Sequence, residues 1–289
     1  MSVFMKRNIK LCFRDKSAVF FSLLAVFIII GLYALFLGNA WMNHSIKDLK
    51  QAQILMSSWL VSGLLAITSI TTTMGGFGVM IDDKVQKIYK DFDSSPIKKS
   101  SIIGGYIGSA FFIGVIMSLV TVVVSEIYIV GCGGELLTLS TCIKVFLLVL
   151  LATLTNTSLV CFVVSFFKSH SAFSTASSIL GTLIGFLTGI YLPIGSLPPT
   201  IQTVVKVFPV SHAAMLFRQL VMEKPMRTSF DGIPSVYLEE FKEYMGVTFR
   251  FGDYVVPPVV SVGILLFTAI VFYSLSLFNM SRKKDRSRP

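Results

Sequence analysis

Three histidines, His44, His170 and His212, and four cysteines, Cys12, Cys132, Cys142 and Cys161, are the residues of this sequence best suited to ligate a metal or act as nucleophiles. The histidines fall between separate apolar runs. None belongs to a His-Glu-x-x-His pattern, and no Cys/His spacing matches a zinc site. A membrane-embedded protease or transferase needs nucleophiles, carboxylates or metal ligands at one depth. The one acid placed within an expected span is Glu126, directly after the run that ends at Ser125 and near the outer end of the span, where it can reach water. No Gly-x-x-x-x-Gly-Lys-[Ser/Thr] sequence occurs, so the chain has no P-loop to cradle nucleotide phosphates. The sequence is therefore read as a non-enzyme with no catalytic residue and no metal. Cys132 and Cys142 share one side of the membrane, and a disulfide between them is allowed without being required.

The elements that would position these residues are apolar throughout. Of 289 residues, 54% are hydrophobic and 14% charged, with 25 phenylalanines and a mean hydropathy of +0.77. Soluble domains carry roughly 25% charged residues. That composition excludes a soluble enzyme, a secreted module and a disordered tail. Uncharged runs cover Ala18 to Gly38, Ile54 to Ile81, Ile102 to Ser125, Val145 to Phe167, Ser171 to Leu192 and Tyr254 to Phe278. Each is long enough to cross a bilayer as a helix. Backbone amides in hydrocarbon need internal partners, and the runs lack barrel-type alternation. The expected fold is an all-α polytopic membrane protein with six transmembrane helices, an N-terminal amphipathic interfacial helix and a re-entrant outer hairpin between spans five and six.

The net charge of +10 is read first for topology. With the N-terminus inside, the cytoplasmic segments hold Lys6, Arg7, Lys10, Arg14 and Lys16, then Lys84, Lys87, Lys90, Lys98 and Lys99, then Lys168, then Arg282, Lys283, Lys284, Arg286 and Arg288. The short outer segments hold Lys47, Lys50 and Lys144. The positive-inside rule then places both termini in the cytoplasm of a multi-pass cell-membrane protein. The basic face suits anionic lipid headgroups, and no basic and aromatic residues interleave as a nucleic-acid platform requires. The first apolar run is too long for a signal-peptide core and ends in bulky Asn39 to Trp41, so it reads as an uncleaved signal anchor.

Four segments stand out. Residues 1–17 mix Val3, Phe4, Ile9, Leu11 and Phe13 with basic residues, the pattern of a basic amphipathic helix in the interface or of a topogenic charge cluster. Residues 82–99 form the one sizeable cytoplasmic loop. In it Val85, Ile88, Tyr89 and Phe92 fall at helical spacing, predicting a short helix whose apolar stripe needs cover from the bilayer or from a soluble partner. Ser177, Gly181, Gly185 and Gly189 repeat every four residues on span five, with a shorter Gly104/Gly108 pair on span three; such faces admit close helix contact. Residues 193–253 are broken by Pro193, Gly195, Pro198, Pro199 and Pro209, and read as a re-entrant or interfacial hairpin followed by surface helices over Ser211 to Met222 and Ser235 to Met245, with Ser235 as an N-cap. Residues 279–289 are a basic tail.

Taken in order, these features resemble the membrane subunit of type-2 ABC transporters, in its drug and antibiotic exporter branch. The likeness covers nearly the whole chain as a single transmembrane domain, 1–289. It rests on Arg7-Asn8-Ile9-Lys10 and Arg14-Asp15 before span one, Ser95-Pro96-Ile97 after span two, and Gly189-Ile190-Tyr191-Leu192-Pro193-Ile194-Gly195, Leu197-Pro198 and Pro209-Val210-Ser211-His212 after span five. The resemblance implies a connecting helix with Lys6, Arg7, Lys10, Phe13 and Arg14, and an ATPase-coupling helix with Asp82, Asp83, Lys84, Val85, Ile88, Tyr89 and Phe92. It also implies a dimer packed through Ser177, Gly181, Gly185 and Gly189, and an outer re-entrant motif of Pro193, Gly195, Pro198, Pro209 and His212. The glutamate-arginine-glutamate and glycine usual in the family's coupling loop are replaced by Asp82-Asp83-Lys84 and Lys87.

On that resemblance the implied partners are a soluble ABC ATPase subunit in two copies, which would bind ATP and Mg, a second permease copy or paralogue, and membrane lipids, but no nucleic acid. The implied function is ATP-driven export of an amphipathic compound: a drug, antibiotic peptide, secondary metabolite or lipid-like molecule. Export of a lipid-linked polysaccharide or teichoic-acid precursor, and a non-transporting sensor or immunity subunit coupled to an ATPase, are the alternatives.

Overall fold

A computed structural model describes residues 2–37, 49–94, 99–167 and 169–285. The end of the first apolar run at Gly38, Asn39 to Trp41, His44, Lys47, Ser95-Pro96-Ile97, Lys98, Lys168, Arg286 and Arg288 lie outside the described residues. Within them the chain is an all-α polytopic membrane protein. Four helices are long and apolar enough to cross a bilayer, or up to six if each of two bent pairs is one span.

Charge sets the first boundary. Helix α1 (Ser2–Arg14) carries the basic amphipathic sequence, and α2 (Lys16–Leu32), continued by a π-helical turn Tyr33–Leu37, carries the apolar one. The chain bends by 73° where one composition gives way to the other. Helix α3 (Ala52–Gly76) is interrupted at Phe77 and resumes as α4 (Gly78–Val85), followed by α5 (Tyr89–Ser94). Then come α6 (Lys99–Gly131), α7 (Leu139–Val164) and α8 (His170–Leu187). Thr138 and Ser169 cap α7 and α8, each accepting a hydrogen bond from the backbone amide three residues on.

After α8 the segment folds as a 3₁₀ turn Ile194–Ser196, α9 (Pro199–Val207), α10 (Pro209–Val221), α11 (Glu223–Ser229) and α12 (Ser235–Tyr244). A two-residue hairpin pairs β1 (Arg250–Phe251) with β2 (Tyr254–Val255), and α13 (Pro258–Asp285) closes the chain.

Three expectations shift. The fifth run ends early as a helix: Gly189 at φ 69 turns the backbone left-handed, so Ile190 to Leu192 lie beyond α8. His170 and the serines and threonines of α8 also lower its hydropathy, and it is not among the helices that qualify as spans, whereas the bent pair α9 and α10, at 85°, is. The sixth helix starts at Pro258, because Tyr254 and Val255 pair in the hairpin. Ser235 is the first residue of α12 and makes no cap bond; Pro234 precedes it.

Span two is the hub. The most apolar 18-residue stretch of Ala52–Val85 is 89% buried, whereas that of Pro258–Asn279 is 28% buried and lies at the periphery. A Cβ at Gly76 would stand 2.9 Å from Ala110 Cα, and one at Gly114 would stand 2.5 Å from Thr73 Oγ1 and 2.7 Å from Thr153, so α3, α6 and α7 meet at backbone range. Asn156 donates to Ser69 Oγ at 2.7 Å and Thr155 to the Leu265 carbonyl at 3.0 Å, tying α7 to α3 and to α13.

Candidate functional site

At the end of span two that carries the basic residues, α1 lies against α4 and α6. The Arg7 guanidinium donates to both carboxylate oxygens of Asp83, at 2.7 and 2.9 Å, and the Tyr106 hydroxyl donates to the same carboxylate at 2.6 Å. The Asp83 side chain is 4% exposed and that of Arg7 32%. The hydrogen bonds it donates to Asp83 raise the Arg7 pKa above its ordinary value, against the opposing pull of burial. A buried carboxylate is thus paired and fully hydrogen-bonded, the condition under which burial of charge is tolerated. Arg7 also stacks over the rings of Phe4 and Phe92, at 5.5 and 5.3 Å. Asn8 donates to Ser109 Oγ at 3.4 Å.

Glycines let α1 approach this closely. A Cβ at Gly105 would sit 2.5 Å from Phe4 Cδ1, and one at Gly108 2.9 Å from Met5 Sδ. Gly105 and Gly108 are thus small residues of α6 that receive α1; of these, spacing pointed to Gly108. Lys6, Lys10 and Arg14 lie on the exposed side of α1, and Phe13 is half-buried.

The single helix expected over Asp82 to Ser95 is broken within its described residues, 82–94. Gln86 to Ile88 form a turn, and Lys87 takes φ 62. That is the left-handed conformation a glycine favours, and Lys87 stands where the resembled family carries its glycine. The break splits the apolar stripe. Phe92 packs edge-on against Phe4 at 5.0 Å, covered by α1, while Val85 stays 48% exposed and Ile88 is half-buried. Tyr89 is placed only by its backbone. Asp82 Oδ1 lies 3.5 Å from His170 Nε2, linking α4 to the start of α8.

Above this end a cleft of about 660 Å³ opens between α2, α3 and α8. Ser177 and Gly181 line it, and a Cβ at Gly181 would meet nothing within 4 Å. Gly185 is not free for another helix: the Tyr191 ring folds back to within 2.1 Å of where its Cβ would be. The four-residue repeat of α8 thus serves three ends, a cleft wall at Ser177 and Gly181, a ring seat at Gly185 and a left-handed turn at Gly189.

The outer segment is held by residues that spacing did not single out. Arg218 of α10 is fully buried. Its guanidinium donates to the Thr188 carbonyl at 2.7 Å and to the Gly246 carbonyl at 3.4 Å, and lies 5.1 Å from the Trp59 ring centre. Both carbonyls end a helix, α8 and α12, where unpaired oxygens and the negative end of the helix dipole stabilise a cation. Trp59 donates to the Met245 carbonyl at 2.8 Å, so span two grips the same corner. The signal was present in the sequence as a lone base seven residues after Ser211, on the face of α10 shared with Ala214 and Met215.

The proline and glycine motif positions are placed as turns. Pro193 accepts from Ser196, Gly195 is pressed against Tyr244, Pro198 precedes α9, and Pro209 opens α10. His212 is buried with Nδ1 2.9 Å from Ser261 Oγ. Cys132 and Cys142 are free thiols, and Glu126 accepts the Leu137 amide at 3.0 Å, closing the turn after α6. Among the described residues no group of three or more His, Cys, Asp or Glu side chains is placed to hold a metal.

Residues 39–278, well over half of the chain, match the family described as ABC-2 family transporter protein. The chain matches no curated protein.

Proposed function

From the premise that the chain belongs to the ABC-2 transporter family, we propose that it is the membrane subunit of an ATP-driven exporter of an amphipathic compound, with six spans, both termini in the cytoplasm and a second copy or paralogue completing the path. As a permease subunit it carries no nucleotide-binding signature, and its family implies association with a soluble ABC ATPase.

The observation that carries the coupling reading is the docking of α1 on α4 and α6 through Arg7 and Asp83. It makes α1, the exposed Val85 and the Lys87 turn one rigid cytoplasmic unit rooted in span two, the most buried helix. A push on that turn reaches span two without passing through a flexible joint. ATP binding shifts the transporter only if the ATPase binds this unit differently in the two states. The faces of α8 around Gly181 are left for the second copy, and the prolines of α9 and α10 shape the re-entrant outer hairpin. Lys6, Lys10 and Arg14 point to anionic headgroups or to the ATPase surface.

Purification of the chain in mild detergent from its native host, with mass spectrometry of what co-elutes, tests the reading. A soluble ABC ATPase at equal stoichiometry is expected. A stable oligomer of this chain alone would overturn it.

A further inference from the structure

At the end of span two opposite the Arg7 and Asp83 pair, a second cavity of about 420 Å³ lies between the start of α3, the turn from α6 to α7, and α10 with α11. It shares no lining residue with the cleft between α2, α3 and α8. Local backbone chemistry shapes it. Gly133, at φ 86, ends α6 in a left-handed turn, and the Gly134 amide returns to the Ile129 carbonyl at 2.9 Å. The chain then doubles back far enough for the Leu137 amide to reach Glu126 Oε2 at 3.0 Å. Helix α11 closes the other side: Lys224 pairs with Glu135 of the turn, and the Ser229 hydroxyl donates to the Lys50 carbonyl at 2.7 Å.

The charges around this cavity do not cancel. Its lining sets Glu126, Glu135 and Glu223 against Lys224 and Arg227. Glu135 is taken by Lys224. Glu223 and Arg227 stand four positions apart on α11, the spacing at which opposite charges on a helix offset each other. Glu126 remains. It is half-buried, its Oε2 is held by a backbone amide, and among the described residues it makes no ion pair. A carboxylate drawn partly out of water and left without a cation favours one that arrives from outside, and repels an anion entering the same space. Among the described residues the acids do not converge as a metal cluster, which points to an organic cation. Ile54, Ile129, Leu220 and Val221 supply an apolar wall for a short carbon body. No aromatic ring is among the described lining residues, so the cation is held by the hydrogen bonds it donates and not by a π face.

We propose that this cavity binds a small organic cation, a primary ammonium or guanidinium on a short apolar body, through Glu126. The inference rests on the transport reading only in placing this end of span two outside the cell, where such a ligand would enter from the medium.

Thr228→Cys places a reporter in the lining. The full-length variant in detergent is treated with methyl methanethiosulfonate, which modifies thiols and spares amines, and the rate is read by mass spectrometry on the peptide bearing position 228. Hexylamine, hexylguanidine, hexanol and hexanoate are compared at one ionic strength and neutral pH. Either cation is expected to slow modification at concentrations about tenfold lower than hexanol or hexanoate, the scale of one charge-assisted hydrogen bond. Adding Glu126→Gln, which keeps an acceptor for the Leu137 amide, should remove that advantage. Lys224→Gln, which frees Glu135, should enlarge it, and decides the matter if the Glu126→Gln protein does not fold. Equal or stronger protection by hexanoate, protection by none of the four, an undiminished advantage in folded Glu126→Gln, or no gain in Lys224→Gln overturns the proposal. The assay contains no ATPase, so its failure leaves the coupling reading standing, and a failed co-purification leaves the cavity assignment standing.

Discussion

Arg7 and Asp83, 76 positions apart, share two hydrogen bonds of 2.7 and 2.9 Å, and through them the N-terminal helix is fixed to α4, the extension of span two. The pair is asymmetric: the carboxylate is buried and the guanidinium is part-exposed. Removing the arginine should therefore harm more than the loss of a surface pair. Arg7→Leu leaves Asp83 in an apolar corner with Tyr106 as its remaining partner, and is expected to destabilise the docked state of α1 by about 2–3 kcal/mol. Faster tryptic cleavage after Lys16 in detergent would report it, with Arg7→Lys intermediate.

Glycine positions give a paired contrast. Gly105→Ala drives a methyl toward the Phe4 ring and is expected to cost about 1–3 kcal/mol and to loosen α1 in the same proteolysis assay. Gly181→Ala meets open space and is expected to be neutral, or stabilising by up to about 1 kcal/mol through helix propensity. Equal melting temperatures for the two variants would contradict the packing described.

Lys87 sits in a conformation that disfavours any side chain. Lys87→Gly is expected to stabilise the turn by about 1 kcal/mol, and a β-branched Lys87→Val to destabilise it by a similar amount. Thermal unfolding of the purified protein checks the order of the three.

Arg218→Met keeps the volume and removes the donors to Thr188 and Gly246. Two helix ends then lose their shared cation, and the outer segment is expected to become protease-sensitive, with a loss of about 2–4 kcal/mol. Arg218→Lys keeps the charge without the fork and should fall between wild type and Arg218→Met.

Cysteine labelling reads topology and environment together. In intact cells an impermeant maleimide is expected to label Cys142, which is exposed, and to spare Cys12 until the membrane is opened. Burial pushes the Cys12 thiol above its ordinary pKa of 9.0, with Asp15 adding to it. Because the thiolate reacts, Cys12 labelling should be slow at neutral pH and accelerate as pH rises beyond that value.

The parts legible in the sequence were those set by composition. Continuous apolar runs marked the four helices that are long and apolar enough to cross a bilayer, and the switch from Arg14-Asp15-Lys16 to an uncharged run marked the 73° bend between α1 and α2. Spacing located the loop after span two but not its shape, because helical periodicity over Val85, Ile88, Tyr89 and Phe92 carries no record of the left-handed turn at Lys87. It likewise assigned Phe92 to a displayed stripe, since only the tertiary contact with Phe4 shows that α1 already covers it. Arg218 stands in the sequence only as a lone base on α10; its burial depends on two helix ends, at Thr188 and Gly246, brought together from distant parts of the chain.

The central claim is that the turn after span two is where a soluble ATPase engages the membrane subunit, and Val85 is the residue that tests it most cleanly, being exposed and outside the Arg7 contacts. Val85→Asp should leave insertion and melting temperature unchanged while the co-purified ATPase and its cargo-stimulated turnover fall to background. Unaltered ATPase stoichiometry and turnover in that variant would contradict the account.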